Sequence, residues 1–391
     1  MKITMVGTFP PIKGISRTYC VPLSEALSRH VEVDFVSFSH IYPEKLYPGG
    51  TKELDDAWAD PASERLSVRR PLAWFNPLTW LWTGLTVPGR LLHIHWWTYF
   101  LSPVELTLLA AAKLRGTSVI MTVHNVLGHE TNMLDRMLSR LAFSFPDRFI
   151  VHTEQNRRQL HDVFGVHPSR VAVIPFGALT VYDDAPLSRE EARAALDLDA
   201  DERVLLHFGY IRDYKGLDVL LRAMPRVIDA VPGVKLVVAG TCWQGERGWR
   251  KYQQIIDEGG LGDRVKLDIG YVPSSRVKVY FRAADLVVLP YLHFEAQSGP
   301  GNIGLAFGSP MIVTHTGGLP SLVRDADAVV PPGDAAALAE AIIRVVNDPG
   351  KLAKMSRDSV ELAREYSWPA IAERTVALYD TLLSGRGHDD A

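Results

Sequence analysis

The feature that most constrains this chain is the alternation of short apolar runs with longer segments of helical character. In the first 180 residues the apolar runs are Ile3–Val6, Val31–Val36, Leu91–Ile94, Val119–Val123, Phe149–Val151 and Val171–Ile174. Helical patterns such as Leu23–Leu27 and Val104–Leu114 separate them. Short apolar runs are typical of buried strands, and strands that alternate with helices form parallel βαβ units. We therefore predict a Rossmann-like, doubly wound sheet.

A second alternating series follows residues 178 to about 190, which lack periodicity and are predicted to be a linker. Its strands are predicted at Val204–Phe208, Val234–Ala239, Val265–Ile269, Asp285–Leu289 and Met311–Val313, with helices at Leu217–Val227 and Ala335–Val346. The α/β domains are thus predicted over residues 1–180 and 186–366. Such a pair places an active site in the cleft between the domains, at the carboxyl ends of the strands.

The end of the chain carries one more helical pattern, Trp368–Leu383. We predict a C-terminal helix over residues 367–384 that packs back toward the N-terminal domain. The polar tail from Ser384 to Ala391 is expected to be disordered.

Composition excludes several classes of protein. A length of 391 residues fits about two domains, and 47% hydrophobic residues suffice for large cores. A formal charge of −3 argues against nucleic acid as a partner, because nucleic-acid-binding proteins usually carry a basic excess. Cys20 and Cys242 lie far apart in the sequence. We therefore expect no disulfide framework and predict that the protein works in a reducing compartment. We see no signal peptide and no run of about 18 apolar residues.

The stretch Pro290–Pro320 concentrates polar and small residues at a strand-to-helix turn. Glu295, Gln297, Ser298 and Gly299 follow the strand that ends at Leu289. A helical run to Gly308, a strand from Met311 and a Thr316-Gly317-Gly318 turn come next. In a doubly wound sheet, such a turn presents backbone N–H groups and a helix N-terminus to an anion. Both a ligand site and a purely structural turn fit this pattern.

A second unusual stretch, Pro71–Val87, is rich in tryptophan and leucine. It contains Trp74, Trp80 and Trp82, is interrupted by Pro77, and is flanked by Arg69, Arg70 and Arg90. Two interpretations are open. The stretch is either a helix and loop packed on the sheet, or an interfacial patch that contacts membrane lipid or a lipid-linked substrate.

Several short motifs occur in a specific order along the chain. In the first half these are Phe9-Pro10-Pro11, Thr122–Asn125 and Val173–Gly177. In the second half they are Phe208–Gly216, Val238–Gly240, Gly270–Pro273, Ala283–Asp285, Leu289-Pro290, Gly308–Pro310, Gly317–Pro320 and Pro331–Asp334. Together they resemble the retaining GT-B glycosyltransferases of family 4 over nearly the whole chain. The resemblance implies two Rossmann-like domains and transfer of a hexosyl group from a nucleoside diphosphate to a hydroxyl, with the anomeric configuration kept.

The resemblance also implies roles for the cations and acids of the second half. Arg212 and Lys215 follow a strand and are predicted to bind the donor diphosphate, although the family arginine stands two positions earlier, at Tyr210. Glu295 matches the first of two family glutamates and would contact the donor sugar. The second family glutamate, which holds the ribose, corresponds to Ile303 in this chain. The contact with the ribose is therefore expected to be weakened or to be made by another group. Gln297, Ser298 and Gly299 replace the usual Phe-Gly stretch in a variant subgroup.

Further site residues rest on the same resemblance. Tyr271 and Val272 match the loop whose backbone contacts the base, and Gly240 and Gly14 are assigned to donor binding. His124 matches a histidine near the reacting sugar and is assigned a catalytic role, with a packed core histidine as the alternative. Four residues around the end of a predicted strand either line the acceptor pocket or pack in the core: His93, His95, Trp96 and Trp97.

No spacing of histidines, cysteines or acids indicates a metal site, and the resemblance implies a diphosphate held without a divalent ion or cofactor. The expected partners are a nucleotide sugar, a glycan or polyprenyl-linked acceptor, and peripheral membrane contact. The expected setting is synthesis of a surface polysaccharide in the cytoplasm, at the inner face of the plasma membrane. A GT-B nucleotide-sugar epimerase and a catalytically silent nucleotide-sugar-binding subunit are the alternatives.

Overall fold

The computed structural model describes residues 1–12, 15–43, 63–127, 133–295 and 297–386. The chain divides into two compact units. The first is Met1–Gly177 joined by the C-terminal segment from Ser367, and the second is Ala178–Tyr366. Each unit is described by itself.

The first unit is built on a parallel sheet of seven strands. The strands are β1 (Lys2–Val6), β2 (Glu32–His40), β3 (Leu66–Ala73), β4 (Leu91–Trp96), β5 (Ser118–Val123), β6 (Arg148–Val151) and β7 (Val171–Val173). Their order across the sheet is β3-β2-β1-β4-β5-β6-β7. The helices are α1 (Val21–Ser28), α2 (Pro77–Thr86), α3 (Ser102–Leu114), α4 (Met133–Ala142) and α5 (Glu154–Phe164). All residues of β4 and β5 are buried, as expected for central parallel strands covered on both faces.

The second unit is built on a parallel sheet of six strands. The strands are β8 (Arg203–Phe208), β9 (Val234–Gly240), β10 (Val265–Ile269), β11 (Leu286–Leu289), β12 (Met311–Thr314) and β13 (Val329–Val330), in the order β10-β9-β8-β11-β12-β13. The helices are α6 (Arg189–Ala194), α7 (Leu217–Ala230), α8 (Gly245–Glu258), α9 (Ser274–Ala283), α10 (Gly299–Ala306), α11 (Ala335–Val346) and α12 (Pro349–Glu365). The predicted pair of Rossmann-like, doubly wound sheets is confirmed.

The edge strand β3 was not predicted from the sequence pattern, and neither was the short strand β13. The sequence of β3, LSVRRPLA, has no continuous apolar run, because the strand pairs with β2 alone and its middle is only half-buried. The prediction of a helix and loop from Pro71 to Val87 is therefore wrong for its first three residues, which are strand. Pro71 is tolerated there because proline fits an edge strand, where an N–H can be spared.

The C-terminal helix α13 (Trp368–Arg386) is longer than the pattern predicted. It packs against α1 in the first unit and buries Ile371, Ala372 and Tyr379 in the core of that unit. The expectation of disorder from Ser384 is wrong for residues 384–386, which continue the helix, and residues 387–391 lie outside the described part of the chain.

Candidate functional site

Two cations of the second unit lie on the loop between β8 and α7, and no described acidic residue pairs with either of them. The Arg212 guanidinium stacks on the Trp243 ring, 3.8 Å from its centroid, and Lys215 Nζ lies 5.0 Å from the centroid of the Tyr291 ring. Within the described part of the chain, neither side chain makes a hydrogen bond or an ion pair. By contrast Arg193 and Arg282 of the same unit bind the carboxylates of aspartates.

Lys215 is the more constrained of the two, since only 6% of its surface is exposed. Burial lowers the pKa of its ammonium group to about 8, and the positive charge of Arg212 contributes in the same direction, against an opposing effect of Tyr214. A buried charge without a counter-ion costs free energy, which an incoming anion would recover. The Lys215 site is therefore suited to a negatively charged ligand.

The loop that carries these cations depends on two glycines. A Cβ on Gly216, whose φ is +66°, would overlap the carbonyl oxygen of Pro290. Only glycine at this position therefore lets the loop pass the end of β11. A Cβ on Gly209, whose φ is +104°, would lie 3.3 Å from Lys215 Nζ and 3.1 Å from Pro300 Cγ. The Lys215 ammonium and the first turn of α10 thus approach the same point of the backbone.

The N-terminus of α10 lies close to Lys215 and favours the binding of an anion there. Ser298 caps the helix: its Oγ accepts a hydrogen bond from Gly301 N at 3.2 Å and is also bonded to Tyr291 Oη at 2.9 Å. The N–H groups of a helix N-terminus and the helix dipole attract anions. Lys215, Arg212 and Ser298-Gly299, which the sequence assigned to donor binding, thus lie on two segments that converge at the carboxyl ends of β8 and β11.

A cavity of about 220 Å³ adjoins this region. The predicted residues Gly240, Tyr271 and Val272 line it, and so does Ile303 of α10. The remaining lining residues are Tyr182, Phe208, Gly209, Tyr210, Thr241, Ser274 and Val277. None of these side chains carries a charge, so the cavity suits a neutral ring system attached to the anion rather than the anion itself.

The predicted residues Glu295 and Gln297 follow Tyr291 on the segment that leads into α10. Glu295 is exposed and Gln297 is half-buried. The segment is held to β12 and to the turn after it: Thr314 Oγ1 donates to Tyr291 O at 2.6 Å, and Phe294 N donates to Thr316 Oγ1 at 3.0 Å. The Thr316-Gly317-Gly318 turn therefore positions the Glu295 backbone. Gly14, assigned to donor binding, lies outside the described residues.

In the first unit, His124 belongs to a buried chain of histidines. His124 Nδ1 lies 3.1 Å from His152 Nε2, and His124 Nε2 lies 3.2 Å from His95 Nδ1. At one end His152 Nδ1 donates to Ile174 O at 2.9 Å. The neighbouring His93 is bonded to Tyr379 Oη at 2.6 Å and to Thr122 Oγ1 at 2.7 Å. Both ring nitrogens of His124 are therefore occupied by other histidines.

The carbonyl at the end of the chain determines where its protons lie. A carbonyl only accepts, so His152 Nδ1 carries a proton and Nε2 of the neutral ring accepts one from His124 Nδ1. By the same step His124 Nε2 accepts from His95 Nδ1, which leaves His95 Nε2 as a buried acceptor with no partner among the described residues. Burial lowers the pKa of His93 to about 3 and of His152 to about 4, and holds the pKa values of His95 and His124 well below 6.5. The four rings are neutral at pH 7.

Several residues of these sites were not predicted from the sequence. Trp243, Tyr182 and Tyr291 stand far from one another in the chain, and nothing local marks them. His152 had a usable signal: it directly follows β6 as His124 directly follows β5. Because carboxyl ends of neighbouring parallel strands meet at one edge of a sheet, the two histidines could have been placed together.

The tryptophan-rich stretch separates into a buried and an exposed part. Trp80 packs against the core and its Nε1 donates to Ala73 O at 2.7 Å, whereas Trp82 of the same helix is 69% exposed. The flanking Arg69 pairs with Asp34, and Arg70 donates to Pro10 O. Contacts within the unit therefore use both guanidinium groups.

Exposed apolar side chains also cover the outer face of α2 and a second helix, α4. On and before α2 they are Trp74, Phe75, Leu78, Leu81, Trp82 and Leu85, and on α4 they are Met133, Leu134, Met137 and Leu141. No helix among the described residues is both long and apolar enough to cross a bilayer. The same residues contain no group of three histidines, cysteines or acids arranged to hold a metal ion.

Comparison with known proteins identifies both halves of the chain. Residues 16–178 match the family model for Glycosyltransferase Family 4, and residues 188–361 match the model for Glycosyl transferases group 1. The chain is 34% identical over 249 residues to the D-inositol 3-phosphate glycosyltransferase of Mycolicibacterium smegmatis, a match over 61% of this chain and 54% of the relative. The corresponding protein of Segniliparus rotundus is 32% identical over 246 residues, 61% of this chain and 53% of the relative. These matches span about half the length of the curated relatives.

Solved structures resemble the whole chain. Sucrose-phosphate synthase from Thermosynechococcus elongatus superposes with a TM-score of 0.69 at 22% identity, over 98% of this chain and 99% of that one. Anabaena Alr3699/HepE, solved in complex with UDP and glucose, gives a TM-score of 0.71 at 16% identity, over 97% of this chain and 100% of that one. At such identities the likeness concerns the fold, and the predicted GT-B class is confirmed.

Proposed function

We propose that this chain, composed of a glycosyltransferase family 4 domain followed by a glycosyl transferases group 1 domain, moves a sugar from a nucleoside diphosphate to a hydroxyl group. One observation carries the proposal: Lys215 is buried beside the N-terminus of α10, next to an uncharged cavity, and has no counter-ion among the described residues. A nucleoside diphosphate has the matching parts, an anion joined to a neutral ring system. The relatives that are named glycosyltransferases support the same class of activity.

The proposed reaction breaks the bond between the anomeric carbon and the diphosphate oxygen, and the electron pair stays on that oxygen. Lys215, Arg212 and the N–H groups of α10 stabilise the charge that develops there. The acceptor hydroxyl bonds to the same carbon from the same face, so the configuration is retained, and its proton passes to the departing phosphate oxygen. The charges are compensated by the protein itself, so the proposal includes no resident metal or cofactor.

The remaining residues take supporting roles in this proposal. Glu295 contacts hydroxyls of the donor sugar, and Gln297 lies beside it on the same segment. Tyr271 and Val272 contact the base in the cavity, whose wall Gly240 completes. The assignments of His124 to the reacting sugar and of Gly14 to the donor stay predictions.

A donor screen tests the proposal directly. Melting temperatures are measured with UDP-, GDP-, ADP- and dTDP-sugars, and a ligand at 100 times its Kd should stabilise the protein by about 2.7 kcal/mol. The best donor is then incubated alone, and slow release of free sugar is expected because water can replace the acceptor. A screen in which no nucleotide sugar raises the melting temperature would refute the proposal.

The two alternatives give different results in the same assay. A silent binding subunit, which the apolar Ile303 favours, would be stabilised by a nucleotide sugar without releasing sugar from it. An epimerase would convert the donor into its epimer, and in the product the sugar would still be bonded to the diphosphate. Free sugar and free nucleoside diphosphate in equal amounts distinguish the transferase from both.

The exposed apolar side chains of α2 and α4 support a proposal for the acceptor. Leu78 is 76% exposed and Met133 is 88% exposed, while Arg136 and Arg140 are exposed on the same helix as Met133. Tryptophan and leucine favour the membrane interface, and arginines attract anionic headgroups. We propose that the first unit attaches to the inner leaflet of the plasma membrane from the cytoplasm. The acceptor is then a glycan on a polyprenyl-type lipid, in surface polysaccharide synthesis.

Vesicle co-sedimentation tests this attachment. The intact protein should sediment with anionic vesicles at low salt and be released as salt rises, because the charge contribution is screened. Replacing Leu78 and Trp82 together by serine should lower the bound fraction about tenfold, since each loses apolar burial in the interface. Val360→Ser, at an exposed apolar residue of α12 in the second unit, is the matched control and should bind normally. Equal binding by the double variant and the control would contradict the proposal.

A further inference from the structure

Ile303 is a residue of α10 that lines the cavity beside the proposed diphosphate site. It stands four residues after Gly299, so both are on one face of α10, with the helix N-terminus at one end. It is 5% exposed and lines the cavity together with Gly209, on which a Cβ would lie 3.3 Å from Lys215 Nζ. If the diphosphate binds at Lys215 and the base at Tyr271, the pentose between them faces Ile303. This step rests on the proposed function.

Among the described residues, the walls of the cavity offer a pentose hydroxyl only neutral hydroxyl groups as side-chain partners. The side chain of Ile303 neither donates nor accepts hydrogen bonds, and none of the described lining residues has a carboxylate, amide or amine side chain. The polar side chains of the cavity are hydroxyls, those of three tyrosines, Thr241 and Ser274. A site built to hydrogen-bond a substrate hydroxyl rejects the analogue that lacks it by a large factor, whereas an apolar wall discriminates weakly.

We infer that the cavity does not select for the 2′-hydroxyl, so the donors of this protein include sugars carried on 2′-deoxyribonucleoside diphosphates as well as on ribonucleotides. An apolar wall at Ile303 makes favourable contact with the C2′ methylene of a deoxyribose and leaves no buried polar group unpaired when the hydroxyl is missing. The selectivity of the site then comes from the base and the diphosphate.

The test compares nucleotides that differ only in that hydroxyl. The diphosphates of uridine, guanosine, adenosine and cytidine and their 2′-deoxy forms are titrated into the full chain by calorimetry. For the base that binds best, we expect the two Kd values to differ by less than about fivefold. A preference of about fivefold or more for the ribonucleotide overturns the inference. If none of the eight nucleotides binds, the proposed donor site itself is refuted, which is a different result from a measured preference.

Two variants test whether Ile303 is the reason that the cavity does not select for the 2′-hydroxyl. Ile303→Glu places a carboxylate beside the pentose and should produce a preference for the ribonucleotide of about tenfold or more. Ile303→Leu keeps the wall apolar and is the matched control, with the ratio of the wild-type protein. A ribonucleotide preference of the same size in Ile303→Leu and Ile303→Glu would overturn the inference, because it would assign the selection to another group. Far-ultraviolet circular dichroism checks that each variant is folded. If Ile303→Glu does not fold, the ratio of the two Kd values measured for the wild-type protein alone tests the inference.

Discussion

The two units share one architecture and differ in the chemistry at the carboxyl ends of their strands. In the first unit, four buried histidines are neutral: His95, His124 and His152 bond to one another, and His93 bonds to Tyr379 and Thr122. In the second, Lys215 and Arg212 are charged and have no acidic partner among the residues that the structure describes. The same fold thus holds a network of neutral groups in one unit and, in the other, charges suited to an anion.

The largest expected effect is a difference in stability between the two units at acidic pH. The folded pKa values of the histidines lie below the unfolded value of 6.5, so the unfolded chain binds more protons as the pH falls below 6.5. Each histidine then removes about 1.4 kcal/mol of stability per pH unit, down to its folded pKa. With four in the first unit against one, His207, in the second, the first unit should unfold first near pH 5.

Hydrogen exchange measured at pH 7 and pH 5, corrected for the intrinsic rate, checks this order. Peptides from β4, β5 and β6 should lose protection at pH 5 while those from β8, β9 and β11 keep it. Earlier loss in the second unit would show that the buried histidines do not govern acid stability.

A second prediction concerns the cost of the uncompensated charge on Lys215. Its folded pKa of about 8 lies below the unfolded value of 10.5, so the ammonium destabilises the folded state fully below pH 8. The penalty disappears as the pH rises to 10.5. Lys215→Met should therefore raise the free energy of unfolding of the second unit at pH 7 by about 3 kcal/mol, and lower turnover about a hundredfold.

Urea denaturation followed from pH 7 to pH 10 and a donor assay measure both effects. Lys354→Met is the matched control, because Lys354 is exposed on α12 and pairs with Asp358. It should change the free energy of unfolding by less than about 1 kcal/mol and leave turnover unchanged. A Lys215→Met variant that is less stable at pH 7 and fully active would break the comparison between the units.

The smallest expected effect distinguishes the two cations of the second unit. Arg212 is half-exposed and stacked on Trp243, so its charge is solvated and costs the fold little. Arg212→Gln should lower the affinity for a nucleoside diphosphate about tenfold, and change the free energy of unfolding by less than about 0.5 kcal/mol. Calorimetry and urea denaturation measure the two quantities. A clear loss of stability with unchanged affinity would make Arg212 a structural residue.

Local pattern identified the strands that carry a run of apolar residues, whether central or at the edge of a sheet. The central strands β4, β5, β8 and β11 were predicted, and so were the edge strands β7 and β10, which are only partly buried. The edge strands β3 and β13 were not predicted, because Arg69, Arg70 and Pro71 interrupt the first and the second has only two residues. The pairing of Arg69 with Asp34 was not predictable either, since Asp34 lies on the neighbouring strand and strand pairing is not a local property.

The sequence by itself determined the two parallel sheets, the turn after β11 and the positions of Arg212 and Lys215 at the end of a strand. These depend on the spacing of apolar residues, glycines and charges over a few positions, which the chain carries locally. Only the tertiary structure decided that Gly209, Gly240, Tyr271 and Ile303 line one cavity and that Lys215 is buried beside α10. The order β10-β9-β8-β11 brings together loops that are far apart in sequence, and burial depends on everything packed around a residue rather than on its neighbours in the chain.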